Sequence, residues 1–131
     1  MAITGFEADP DEVTELLQLE PTSTARRGTP SRSGRIHQFN GWWLEAHAAA
    51  VTSGSQQDAA LRILLNHLQG KEACFVALRD RLKPQQVAIY GGFYVSPVEQ
   101  GGVWLEASQM QALAACGVAW GLDLFVAKPT I

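Results

Sequence analysis

A leucine stripe in the middle of the chain is the feature that most constrains the fold. Its members recur at the i, i+3, i+4, i+7 spacing of one helix face and are Leu61, Leu64, Leu65 and Leu68. Gly70 interrupts the pattern, and a second apolar stripe at helical spacing runs over residues 75–82 until Pro84. We therefore predict a long helical segment, formed either by two helices or by one bent helix.

Patterns of alternating or β-branched apolar residues flank this segment. They predict strands over residues 1–6, 39–46, 86–95 and 119–126, with a short addition at 103–105. Within the third of these patterns, Gly91 and Gly92 indicate a bulge or a close approach of another group to the backbone.

Two further helices complete the predicted order of elements. Asp9, Pro10 and Glu12 are typical of a helix start, and Pro21 ends that helix. The last helix carries Met110, Leu113 and Cys116 at helical spacing and is closed by Gly117. This order contains two strand-helix-strand units joined by a helical insert. It predicts an α+β, ferredoxin-like sandwich with helices mainly on one face of a four- to five-stranded sheet.

Length and composition limit the classes of protein. The 131 residues suit a single domain, 1–131, and the 47% apolar and 18% charged fractions are ordinary for a globular chain. A net charge of −3 argues against nucleic acid as a partner. The apolar runs are too short to span a bilayer, no secretory signal is visible, and Cys74 and Cys116 lie in apolar patterns. We expect a cytoplasmic protein with reduced cysteines, no membrane contact and no cofactor.

Residues 22–35, which we call the arginine loop, form the most suggestive segment for binding. They are rich in Pro, Ser, Thr and Gly, and they hold Arg26, Arg27, Arg32 and Arg35. With no apolar residue larger than Ala25, the segment is predicted to be a mobile surface loop. Its guanidinium groups suit phosphates or carboxylates, whereas the alternative is a solvated loop whose charge offsets nearby acidic residues. The alternative is favoured because surface ion pairs are common and weak.

Four other residues are candidates for binding. Alternation places Trp43, Glu45 and His47 on the strand face opposite Trp42, so Trp43 is predicted to lie on an open sheet face where it can anchor a partner. Asp123 is predicted to face the same side. Metal ligands and catalytic residues are not predicted, because the sequence has no HExxH, CxxC or related spacing.

Three segments together resemble a known family. They are FEADPDEVTELLQLEPT, FNGWWL and WLEASQMQALAACGVAWGLDLFV, and their order and spacing are similar to the bacterial domain-of-unknown-function family 4279. The resemblance implies a compact bacterial domain with no assigned activity, so no catalytic residue is carried over. The chain departs from the family at Glu106 and Ala107, where a Ser-Pro helix start is expected, and the last helix is therefore predicted to begin at Ser108.

The sequence leaves three functional hypotheses open. The first is a non-enzymatic protein-binding module that uses the open face around Trp43 and the arginine loop, with another protein or a second copy as partner. The second is a small-molecule or anion-binding domain, or an enzyme, with a pocket between that loop, Glu45, His47 and Asp123. The third is a toxin-neutralising protein.

Overall fold

The computed structural model describes residues 1–47, 53–95 and 103–126, without the side chains of 53–58, 93–95 and 126. The strands are β1 (Ala2–Phe6), β2 (Ser23–Ala25), β3 (Asn40–Trp43), β4 (Gln86–Val95) and β5 (Ala119–Val126). The helices are α1 (Asp11–Leu17), α2 (Ser53–Leu68), α3 (Glu72–Leu82) and α4 (Ala107–Cys116). The central segment is thus two helices, separated at Gly70, whose φ is +72°.

The strands form one mixed sheet in the order β2-β3-β1-β4-β5, which confirms the α+β class. Neighbours are antiparallel except β4 and β5, which are parallel and joined through α4. This parallel pair is one of the predicted strand-helix-strand units. The other predicted unit consisted of β1, α1 and β3, and this was wrong because β3 runs antiparallel to β1. The strand that runs parallel to β1 is β2, on the far side of β3. The ferredoxin-like assignment of the whole arrangement stays a prediction.

Residues 22–35 were predicted to be a surface loop, and this was wrong for Ser23–Ala25. Ser23–Ala25 is an edge strand, with Ala25 buried opposite Gly41 of β3. Beyond it the chain folds back on itself, with a bridge between Pro30 and Ile36 and a hydrogen bond from Ser31 N to Arg35 O at 2.7 Å. An edge strand needs little apolar surface, and one buried alanine suffices here.

The hydrophobic core lies between the four helices and one face of the sheet. Ile3, Trp42 and Val87 are paired in register across β1, β3 and β4, and all are buried together with leucines from every helix. Trp42 also donates a hydrogen bond from Nε1 to Thr14 Oγ1 at 3.1 Å, which satisfies the indole N–H. Helix coverage of one face is therefore confirmed.

Two local predictions were wrong, and one of the two alternatives for the glycines of β4 is excluded. Residues 103–105 form no strand, and α4 begins at Ala107 because Glu106 and Gln109 make a reciprocal capping box around its first turn. The glycines of β4 form no bulge, since Ala88 to Val95 pair with β5 without a break. The irregularity in the sheet lies instead in β1, between Thr4 and Phe6.

None of the helices within the described ranges has the length and apolar character needed to cross a membrane.

Candidate functional site

The arginine loop is neutralised in part by the start of α1. The Arg26 guanidinium donates from Nε and Nη2 to the two carboxylate oxygens of Asp9, each at 3.1 Å, and Asp11 lies 3.5 Å away. Arg27 approaches Glu7 at 3.8 Å. These are the solvated ion pairs of the alternative interpretation. Arg32 and Arg35 are exposed near the tip of the turned-back segment.

Asp9 has two roles at the start of α1. Its Oδ1 also accepts a hydrogen bond from the backbone N–H of Asp11 at 2.9 Å. The Arg26 side chain, and then this N–H, lower the pKa of Asp9 below its ordinary value. Since both groups are exposed, the pair contributes weakly to stability.

Trp43 is half-buried rather than fully exposed. Its ring lies over Gly41, in the space that a Cβ at position 41 would need. On the same face of the sheet its neighbours in register are Ala2 and, beyond β1, Ala88, both buried. The indole therefore covers small residues of its own sheet.

Glu45 and His47 follow the end of β3, and together they border a cavity. Glu45 Oε2 lies 3.3 Å from His47 Nε2, and both side chains remain mostly exposed. The cavity measures about 370 Å³ and lies between α2 and strands β4 and β5. Its lining is mainly apolar, with Ala46, Ala60, Leu61, Leu64, Ile89, Val103, Trp120 and Leu122.

The N-terminal ammonium group lies at the same end of the sheet. It donates a hydrogen bond to Leu44 O at 2.6 Å. Burial lowers its pKa, and the nearby charge of Glu45 opposes that shift.

The predicted pocket was wrong in two of its parts. The arginine loop adjoins β2 and β3 at one side of the sheet, and no arginine borders the cavity. Asp123 is exposed on β5, paired in register with Gly92, and it does not line the cavity either. Only Glu45 and His47 of the predicted residues are brought together there.

Several apolar residues of β5 and of the loop before α4 are exposed. Trp104 is 77% exposed and Leu124 is 64% exposed. Tyr90, Trp120, Leu122 and Phe125 are also exposed by a third or more. The alternating pattern of β5 signals a strand correctly, but alternation does not tell which strand lies at the sheet edge.

Metal binding finds no support in the described ranges, where no three His, Cys, Asp or Glu side chains are grouped closely enough to hold an ion. The two cysteines are free thiols. Burial, and then the charge of Glu72, raise the pKa of the Cys116 thiol, so it is a poor nucleophile.

Comparison with known proteins gives a family but no activity. No curated protein and no solved structure matches the chain. The model of one family, described as a domain of unknown function (DUF4279), matches residues 1–127. This match extends over nearly the whole sequence, as the three resembling segments implied, and the chain therefore belongs to the DUF4279 family.

Proposed function

We propose that the chain is a protein-binding module whose partner adds a strand to the β5 edge of the sheet. The observation that carries this proposal is the chemistry of β5, which is an edge strand of the sheet among the residues that the structure describes. Sheet edges are usually protected by charges, prolines or bulges. Ala119–Val126 has one charged residue, Asp123, no proline, and a regular register with β4.

Exposed apolar side chains add to the backbone edge. Leu124 on β5 and Trp104 in the loop before α4 present large apolar surfaces to solvent. Strand addition gains affinity from main-chain hydrogen bonds and specificity from alternate side chains, and β5 offers both. The face around Trp43 gives less support, because that indole is half-buried.

The proposed partner is a second copy of the chain, because β5 is self-complementary. In an antiparallel pair with its two-fold axis at Leu122, Trp120 of one copy faces Leu124 of the other. Asp123 then faces Gly121, so that no charge meets a like charge. Each such cross-strand apolar pair contributes roughly 0.2–1 kcal/mol.

A charge placed on the edge tests this proposal. Leu124→Lys puts an ammonium group among apolar neighbours at the interface, and, since Leu124 is exposed, the fold of one copy is preserved. Light scattering at several concentrations and two salt levels is expected to show a dimer for the wild type and a monomer for this variant. Met110→Lys is the matched control, because Met110 is similarly exposed but lies on α4.

The two outcomes separate clearly. A dimer that the α4 control retains and the edge variant loses supports pairing through β5. A wild type that stays monomeric at every concentration, or a dimer that survives Leu124→Lys, contradicts it. Circular dichroism of both variants confirms that each copy is folded.

A reducing, cytoplasmic location belongs to the same proposal. Cys116 is buried in the hydrophobic core, and the partly buried Cys74 packs against that core. Both thiols are free. Free buried cysteines are typical of proteins that work where disulfides are kept reduced.

A further inference from the structure

Gly91 of β4 is a glycine that neither the backbone nor the packing requires. Its φ is not positive, and its pairing with Leu122 of β5 belongs to an unbroken register. A Cβ at position 91 would meet one atom within 4 Å, Leu122 Cδ1 at 3.7 Å, which is an ordinary contact. Because glycine weakens a strand interior, its presence here points to a group that approaches the backbone closely.

The cavity supplies the space for such a group. Gly91 shares a strand face with Ile89, which is buried against the helices, so a side chain at 91 would project toward α2. On this side lies the cavity of about 370 Å³, with Gly91 at its floor and Leu61 and Leu64 of α2 opposite. Its volume falls within the roughly 300–1,000 Å³ typical of small-molecule sites.

The polar groups of the cavity indicate which head group it accepts. Glu45 is the one acidic residue among the described residues of the lining, and its carboxylate only accepts hydrogen bonds. The ammonium of Met1 donates one hydrogen bond to Leu44 O, and His47 Nε2 lies 3.3 Å from Glu45 Oε2. A ligand group that meets Glu45 must therefore donate a hydrogen bond.

We propose that this cavity binds a small apolar molecule whose polar group is an amine or a hydroxyl. The apolar part lies on the bare backbone of Gly91, between α2 and the Trp120 side of β5. The polar part reaches Glu45 at the rim. The site shares Trp120 and Leu122 with the proposed β5 edge contact, but Leu124, the residue that tests that contact, does not line the cavity.

The test uses three probes that share one ring and differ in charge: phenethylamine, phenethyl alcohol and phenylacetate. The protein is the monomeric Leu124→Lys chain, or the wild type should that be a monomer, so the outcome does not depend on self-association. Amide resonances of Gly91 and Gly92 and the indole resonance of Trp120 are followed by NMR during titration. The amine and the alcohol are expected to shift these resonances, with the amine tightest and phenylacetate weakest.

Two substitutions make the result specific. Gly91→Val fills the floor of the cavity and is expected to abolish binding while the chain stays at least as stable, since valine suits a strand better than glycine. Gly92→Ala is the matched control: Gly92 borders the cavity only through its backbone, a Cβ there would point to the other face, toward Phe125 at 3.3 Å, and binding is expected to be retained. Glu45→Gln is expected to weaken the amine by about tenfold, the loss of one charged hydrogen bond.

The proposal is overturned by any of three results. These are no shift with any probe at millimolar concentration, equal binding by the Gly91→Val chain, or tightest binding by phenylacetate. Denaturation of each variant by urea separates loss of the site from loss of the fold.

Discussion

The carboxylate of Asp9 illustrates how a single residue connects the arginine loop to α1. It receives two hydrogen bonds from Arg26 and one from the Asp11 backbone. Each of them favours the charged form and so lowers the pKa of Asp9. A carboxyl whose folded pKa is depressed stabilises the fold fully above its ordinary pKa of about 4, and this contribution is lost as the pH falls through the folded pKa.

Arg26→Ala is therefore expected to raise the pKa of Asp9 toward its ordinary value without reaching it, because the Asp11 N–H bond remains. The stability difference between this variant and the wild type is expected to be present at neutral pH and to vanish in acid. Carboxyl ¹³C NMR during a pH titration measures the pKa directly. Arg27→Ala is the control, since Arg27 approaches Glu7 instead, and an unchanged Asp9 titration in Arg26→Ala contradicts the assignment.

The ends of elements depend on glycines for different reasons. Gly117 closes α4 with φ +66°, and the guanidinium of Arg79 occupies the space where its Cβ would be, while bonding to Cys116 O. Gly70, between α2 and α3, has φ +72°, and a Cβ at this position would have no other atom within 4 Å. Comparing substitutions at these two glycines therefore separates the cost of a left-handed backbone from the cost of displacing a tertiary contact.

Alanine at either position is expected to destabilise the fold by about 1 kcal/mol through the left-handed backbone alone. Gly117→Ala is expected to cost roughly 1–2 kcal/mol more than Gly70→Ala, because it displaces Arg79 from its hydrogen bond. Urea denaturation of both variants gives the difference. In an Arg79→Ala background the two costs are expected to become equal, and a persisting gap would show that Arg79 is not its cause.

Elements with a strong period were predictable, whereas those that depend on their neighbours were not. The leucine stripe of α2 identifies the helix because its buried leucines recur at helical spacing. Ser23–Ala25 carries no such signal, since an edge strand of three residues is held by pairing to β3 and buries only Ala25. The cavity could not be predicted for a similar reason. Gly91 indicates that the backbone is accessible to another group, but the packing of α2 and β5 determines whether a cavity lies over it.

Across the whole molecule, the pairing and burial that hold each strand in place decrease from β1, at the centre of the sheet, to β5. β1 lies between β3 and β4, and its Ile3 is fully buried in the core. β4 pairs with β1 only over Gln86–Ala88 but with β5 as far as Val95. In a strand, backbone N–H groups point alternately to the two sides, so every second amide of β5 points away from β4.

Hydrogen exchange then distinguishes a free edge from a paired one. In the monomeric Leu124→Lys chain, the amides of β1 are expected to exchange only on global unfolding, while the outward amides of β5 exchange freely. In the proposed wild-type dimer, those same amides are expected to be protected, and their protection is expected to rise with protein concentration because association stabilises by mass action. The inward amides of β5, bonded to β4, should change far less between the two chains. If the outward amides exchange at the same rate in both chains under conditions where light scattering detects the dimer, the copies associate through another surface.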